Sequence, residues 1–132
     1  MTHMDELELV KQDEVFSWLP EEGLETLGAC FDLTVEHLAP GEMRNSAGRG
    51  GYLLHGGGVL KQESGSKVLR PGSLLGIRVT ARGEKRAEHM EITATEACTV
   101  LWFNFELLRM VCYAACWFHV RFLKEIENLL AQ

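Results

Sequence analysis

Three side chains that can bind a transition metal or respond to oxidation lie close together near the end of the chain. Cys112, Cys116 and His119 stand at positions i, i+4 and i+7, so on an α-helix they share one face. Thiolate and imidazole groups are good ligands for Zn²⁺ and iron, and Cys112 thiols from two copies can instead form a disulfide. Small cysteines and a single histidine on an apolar stripe are also common core residues. Metal binding, redox sensing and packing therefore all remain open, and no metal site is assigned.

A cluster of cations marks a second candidate site. Arg78, Arg82, Lys85 and Arg86 lie in one polar segment with Gly83 between them. Guanidinium groups pair with phosphates and carboxylates through charge-assisted hydrogen bonds, so the segment is a candidate anion site. The alternative is a solvated loop that helps to keep the protein in solution.

Enzymatic chemistry has little support in the sequence. A cupin-like metalloenzyme needs histidines clustered inside a β-roll, whereas His37, His55 and His89 are scattered and form no His-x-His pair. Motifs of the Gly-x-Ser-x-Gly, Walker and His-Glu-x-x-His types are absent from the sequence. We expect the protein not to be an enzyme.

Length and charge limit the remaining classes. A chain of 132 residues fits one domain, and 46% hydrophobic residues suffice for a packed core. The formal net charge is −6, which argues against direct binding to nucleic acid, because phosphate contacts usually require a basic excess.

Targeting signals are not evident. The first ten residues, MTHMDELELV, lack the basic start and apolar core of a secretory signal, and no stretch approaches about 20 uncharged apolar residues. The four cysteines, at positions 30, 98, 112 and 116, are then expected to remain thiols. We expect a cytoplasmic protein.

The elements that position these residues change along the chain. Residues 5–19 read as an amphipathic helix that ends at Pro20, and 21–27 as a second short helix. Alternation of apolar and polar residues from Phe31 to Glu36 predicts a strand. Further strands are predicted at residues 52–55, 59–62, 67–69, 91–95 and 97–103.

Glycines divide the middle of the chain into short segments. Turn signals such as Pro40-Gly41, Gly50-Gly51, Gly56-Gly57-Gly58 and Pro71-Gly72 recur between the predicted strands. Glycine supplies the positive φ that tight turns need, so the pattern favours a β-roll or jelly roll. Residues 78–90 interrupt the pattern as a polar, basic loop.

The last quarter of the chain predicts one long helix. Asn104 is placed as its N-cap, and neither Pro nor Gly occurs from Phe105 to Ala131. One stripe follows the 3,4 spacing of a heptad seam, which predicts a homodimer through this helix, although a single wide face packed on its own domain is the alternative. The predicted interface residues are Leu108, Cys112, Ala115, His119, Phe122, Ile126 and Leu129.

The order of these motifs resembles the cyclic-nucleotide-binding-like sensor domain of the Crp/Fnr family of bacterial transcription regulators. The resemblance covers about residues 15–132 and rests on Ala39-Pro40-Gly41-Glu42, the glycines before Val59-Leu60, Leu69-Arg70-Pro71-Gly72 before Leu74-Leu75-Gly76, and Ala97-Cys98-Thr99-Val100. Residues 112–119 are similar to a helix segment of Crp/Fnr-like regulators from anaerobic Firmicutes. In this family a helix-turn-helix domain follows the long helix, so we expect DNA to be bound only through such a domain, which the sequence lacks after Gln132.

The resemblance also implies where a ligand sits. Relatives that bind cyclic nucleotides use a Gly-Glu pair for the ribose and a later arginine for the phosphate. Here Ile77 follows Gly76, and Glu88 occupies the arginine position. An acid there repels phosphate, so we expect no cyclic AMP binding. The candidate ligand residues are Gly76, Ile77, Arg78, Arg82, Arg86, Glu88 and His89.

Together these features predict a single mainly β domain with three parts. N-terminal helices occupy residues 1–28, a double-stranded β-roll occupies 29–103, and a dimerisation helix occupies 104–132. The predicted function is a ligand-sensing, dimerising effector domain of a Crp/Fnr-like regulator. A small-molecule or anionic effector in the roll would change how two terminal helices pack, while a metal- or thiol-based redox sensor is the alternative. The sequence identifies no cofactor.

Overall fold

The N-terminal part of the fold consists of two short helices. A computed structural model describes residues 3–62, 65–110 and 117–131. Helix α1 spans His3–Lys11 and helix α2 spans Glu21–Cys30. The predicted helix over 5–19 is too long, because the Asp13 side chain accepts a hydrogen bond from the Val15 amide at 2.9 Å. Such a bond favours a turn over a continuing helix.

Ten short strands follow α2 in the described residues. They are β1 (Thr34–Leu38), β2 (Met43–Asn45), β3 (Gly50–His55), β4 (Gly58–Gln62), β5 (Gly65–Leu69), β6 (Leu74–Leu75), β7 (Ile77–Val79), β8 (Lys85–Ala87), β9 (Glu91–Ala94) and β10 (Cys98–Phe103). One antiparallel sheet has the order β1-β10-β3-β6, and the other has the order β2-β9-β4-β5. The predicted mainly β roll with a C-terminal helix is confirmed.

One predicted loop is instead a hairpin. Residues 78–90 contain most of β7 and β8, which pair with Arg78 opposite Arg86. Gly83 turns the chain between them with a φ of +84°. These strands were not predicted because their sequence is rich in charged residues. The hairpin tolerates such residues since its strands pair only with each other and remain largely exposed.

Strands β3 and β10 are buried on both faces. Tyr52 and Phe103 point toward the helices, whereas Leu53 and Trp102 point into the space between the two sheets. The chain thus has two cores that share the central strands. Gly51 allows this packing, because a Cβ there would lie 2.8 Å from the Trp102 ring.

The Tyr52 hydroxyl fixes the N-terminal segment to the sheet. It donates a 2.9 Å hydrogen bond to the Asp13 carboxylate. Burial, followed by the hydrogen bond to Asp13, raises the pKa of the Tyr52 phenol above its usual range. The phenol therefore stays protonated and holds the segment after α1 against β3.

The C-terminal helix is interrupted, which corrects the prediction of one helix over 105–131. Helix α3 spans Phe105–Leu108, and helix α4 spans Trp117–Leu130. The Asn104 side chain caps α3 by accepting from the Leu107 amide at 3.0 Å, as predicted. His119 Nε2 lies 2.7 Å from the Leu108 carbonyl oxygen. In one continuous helix the backbones of these two residues would be about 16 Å apart, so α3 and α4 are separate helices.

Four residues of the predicted interface stripe pack inside their own domain. Leu108, His119, Phe122 and Ile126 are buried in the core formed with the N-terminal helices, and Leu129 is half-buried. Cys112 and Ala115 lie outside the described residues. Heptad spacing predicts that a helix face is buried but not which surface buries it. Here the surface that buries it belongs to the same chain. In this arrangement these four side chains offer no surface to a second copy.

No helix of the described residues is both long enough and apolar enough to cross a membrane.

Candidate ligand-binding site

A cavity of about 330 Å³ lies where the roll meets the last turn of α4. Its apolar wall includes Leu60, Leu74, Leu75, Ile77, Leu129 and Leu130. Three polar side chains also line it: Gln62, Lys67 and Ser73. Apolar residues combined with a few polar side chains are a usual lining of small-molecule sites. We define this space as the roll–helix cavity.

Gly76 sets the course of the chain along this cavity. It joins β6 to β7 with a φ of +78°, and a Cβ at this position would lie 2.1 Å from the Arg49 carbonyl oxygen. The Arg49 guanidinium in turn lies 4.5 Å from the centre of a Trp102 ring. The glycine therefore allows two backbones to touch and directs Ile77 into the wall.

Ser46 holds the other side of the hairpin in place, and no sequence motif indicated this role. The side chain is fully buried, and its hydroxyl donates to the Glu88 carbonyl at 2.6 Å. The same oxygen accepts from the Met90 amide at 2.8 Å. These bonds hold the segment between β8 and β9 beside β2.

A second cleft, lined by more charged residues, adjoins the roll–helix cavity. Its volume is about 700 Å³, and it shares Gln62, Ile77, Val79 and Met90 with that cavity. Arg78, Glu88 and His89 line this cleft. The structure thus brings four of the predicted ligand residues, including Ile77, around one connected space.

The other predicted ligand residues are placed differently. Gly76 shapes the wall through its backbone, while Arg82 and Arg86 lie outside both described linings. The sequence did not predict that the ligand site includes Lys67, Leu129 and Leu130. Their contact with the cavity depends on how β5 and α4 fold back onto the roll.

Most cations of the basic cluster form ion pairs with carboxylates. Arg78 lies 3.2 Å from Glu88, and Arg86 lies 2.8 Å from Glu84. Lys85 lies 3.6 Å from Glu127 on α4. An incoming phosphate would have to displace these partners and would meet the Glu88 charge in the cleft. The hairpin is therefore a poor anion site, although Lys85 and Glu127 connect it to α4.

Only one member of the predicted metal or redox group lies within the described residues. His119 is 5% exposed, and because a carbonyl oxygen can only accept, its Nε2 must carry a proton and donate to Leu108. Its Nδ1 is buried with no hydrogen-bond partner among the described residues. Cys112 and Cys116 lie outside those residues, so the metal or redox site stays a prediction.

The two described cysteines are free thiols. Cys30 is exposed, and Cys98 is buried in β10. Burial raises the pKa of the Cys98 thiol, and Glu36 raises it further. Because the thiolate is the reactive form, Cys98 is expected to be inert.

No protein-family model matches the chain, and no curated protein matches it by sequence. Solved structures do match. A candidate cyclic-nucleotide-binding protein from Geobacter metallireducens GS-15 is 19% identical, with a TM-score of 0.63 and 94% of each chain covered. The cyclic-nucleotide-binding homology domain of a KCNH channel is 18% identical, with a TM-score of 0.58, and covers 86% of this chain and 87% of that one.

A third match is the N-terminal domain of a transcriptional regulator from Streptomyces coelicolor A3(2). It is 16% identical with a TM-score of 0.53, covering 93% of this chain and 90% of that one. The fold is that of a cyclic-nucleotide-binding domain. At these identities the likeness establishes the fold alone, and function has to be argued from the residues of the site.

Proposed function

We propose that this chain is the ligand-sensing, dimerising effector domain of a Crp/Fnr-like bacterial transcription regulator, and not an enzyme. The observation that carries the proposal is the shared wall of the roll–helix cavity. Leu75 and Ile77 come from the roll, whereas Leu129 and Leu130 come from the last turn of α4. A molecule in this cavity touches both parts, so it favours one placement of α4 over others.

The effector in this proposal is not a cyclic nucleotide. The Ile77 side chain cannot accept hydrogen bonds from a ribose, and Glu88 places a carboxylate in the cleft where a phosphate needs a donor. Arg78 is the nearest guanidinium to that carboxylate, at 3.2 Å, and is already paired with it. Binding a cyclic phosphate would cost the ion pair and add a like-charge contact.

The proposed dimer uses the outer face of α4 rather than the buried stripe. Trp117 is 55% exposed and Val120 is 63% exposed, and both border a shallow apolar depression on this helix. Lys124 and Glu125 lie beside it. Because a two-fold interface joins position i to j and j to i, the lysine of one copy can meet the glutamate of the other. A second copy is therefore the occupant that fits this face.

Signal output follows from the same helix. The Lys85–Glu127 ion pair and the contacts of Leu129 and Leu130 link the ligand side of the roll to α4. A change in the cavity then shifts the helix that carries the dimer face. In a complete regulator, DNA-reading domains attached beyond Gln132 would be reoriented by that shift.

A thermal-shift panel of cyclic nucleotides, small anions, haem and metal ions tests the proposed function. We expect cyclic AMP and cyclic GMP at about 1 mM to leave the melting temperature unchanged. A ligand present at 100 times its Kd stabilises by about 2.7 kcal/mol, which is roughly 10 °C for a domain of this size. A shift of that order with cyclic AMP would contradict the assigned roles of Ile77 and Glu88.

A further inference from the structure

The second cleft carries charges of both signs. Lys61 and Arg78 contribute cations to its lining, and Glu88 and Glu91 contribute carboxylates. Lys61 lies directly opposite Glu91 where β4 pairs with β9, and Arg78 Nη1 lies 3.2 Å from Glu88 Oε1. A ligand with one net charge therefore meets a like charge beside each opposite charge, whereas a ligand that carries both charges can match them.

Apolar side chains that a ligand can reach lie next to these charges. Val79 follows Arg78 on β7 and is 47% exposed, and Met90 is half-buried. Both residues line the second cleft and also the roll–helix cavity. The cleft volume of about 700 Å³ lies within the range of roughly 300–1,000 Å³ that small-molecule sites occupy. The cleft thus combines a pair of opposite charges with a small apolar surface.

We propose that the second cleft binds an α-amino acid with an aliphatic side chain, which names the effector of the sensing function proposed above and rests on that function. The ligand carboxylate pairs with the Arg78 guanidinium, and the ligand ammonium group pairs with the Glu88 carboxylate. The aliphatic side chain covers Val79 and Met90, on the side that the cleft shares with the roll–helix cavity.

The spacing of the charges favours this ligand over a phosphate. The two charged groups of an α-amino acid are attached to the same carbon atom, so they are about as close together as the Arg78 and Glu88 groups. Such a ligand can lie beside the ion pair with each charge next to its opposite, and the bond between Arg78 and Glu88 is kept. Water still reaches both protein groups, because the Arg78 side chain is 56% exposed and the Glu88 side chain is 36% exposed. Each new pair therefore contributes modestly to affinity.

The hairpin of β7 and β8 connects the bound ligand to α4. Arg78 lies on β7 and Glu88 directly follows β8, so a ligand that pairs with both restricts the hairpin. Lys85 of this hairpin lies 3.6 Å from Glu127 on α4. Occupancy of the cleft therefore favours one placement of α4 relative to the hairpin.

NMR titration of the isotope-labelled full chain with L-leucine tests the proposal. We expect saturable shifts of the amide signals at residues 78–79 and 88–91. Two analogues each lack one charge of L-leucine: 4-methylpentanoate lacks the ammonium group, and isopentylamine lacks the carboxylate. Each analogue is expected to bind about fivefold more weakly than L-leucine, which is the upper end of what one exposed ion pair contributes.

Two substitutions assign the ligand charges to their partners. Glu88→Gln is expected to abolish the preference for L-leucine over 4-methylpentanoate, and Arg78→Met is expected to abolish the preference over isopentylamine. Glu84→Gln and Arg86→Met are the matched controls, because these residues form a 2.8 Å ion pair on the same hairpin but lie outside the lining of the cleft. Both controls are expected to keep both preferences. Since every variant is judged by the ratio of two affinities, a uniform loss of affinity cannot imitate the expected result.

The remaining outcomes separate the ligand class from the proposed function. If both analogues bind as tightly as L-leucine, or if Glu88→Gln and Arg78→Met keep the wild-type preferences, the amino-acid proposal is wrong. If L-leucine does not bind but a compound of the thermal-shift panel does, the amino-acid proposal is wrong and the sensing function stands. If neither L-leucine nor any compound of the panel binds, both proposals fail.

Discussion

Replacing Gly76 with alanine is expected to lower the free energy of unfolding by about 3 kcal/mol or more. Two effects add at this position. A φ of +78° is unfavourable for any residue with a Cβ, and that Cβ would lie 2.1 Å from the Arg49 carbonyl oxygen. Since the clash is with backbone and not with a flexible side chain, the strand junction itself must move. Urea denaturation followed by circular dichroism measures the loss.

Gly83→Ala is the matched control for this substitution. Gly83 has a nearly identical φ of +84°, but a Cβ there would meet nothing within 4 Å. Only the backbone strain remains, so we expect a loss of about 1–2 kcal/mol. Similar losses for the two variants would show that the close approach of Gly76 to Arg49 does not contribute to stability.

Phe122→Ala is expected to destabilise the domain by about 3–5 kcal/mol, as is typical when a buried aromatic ring is removed. The Phe122 ring stacks on Phe16 at 5.0 Å and contacts the edge of Phe103 at 6.0 Å. These contacts hold α4 against both the N-terminal segment and the sheet. Urea denaturation at several protein concentrations measures the loss and separates it from any contribution of a dimer.

Val120→Glu tests the opposite face of the same helix. The exposed position should tolerate glutamate, with a change in monomer stability within about 0.5 kcal/mol. A charge in the proposed interface should, however, convert the proposed dimer into a monomer in sedimentation velocity. A Val120→Glu protein that remains dimeric, or a Phe122→Ala protein as stable as wild type, would show that the two faces of α4 are assigned wrongly.

Sequence patterns predicted the roll because local chemistry determines it. Glycines at turns and alternating apolar residues placed most of β3, β4, β9 and β10 correctly. The hairpin of β7 and β8 was not predicted because its strands carry arginine and lysine and bury little surface. The end of α3 at Leu108 was not predicted, because the hydrogen bond from His119 to Leu108 joins residues eleven positions apart and no local sequence pattern indicates it.

The candidate site was predicted only in part, for a related reason. Motif order located the segment from Gly76 to His89, and four of its residues do line the connected cavity and cleft. The direction of α4 decides the rest, because Leu129 and Leu130 reach the roll only when the helix folds back. Heptad spacing indicated an apolar face on α4 but not which surface that face would contact.

Amide hydrogen exchange with and without a bound ligand tests the central claim most directly, namely that one cavity joins the roll to the last turn of α4. With any compound of the thermal-shift panel that binds one to one, we predict slower exchange at residues 126–131 and 77–79. Residues 34–38 of β1, which do not line the cavity, should be unchanged. A ligand that binds one to one but leaves exchange at residues 126–131 unaltered would contradict the account.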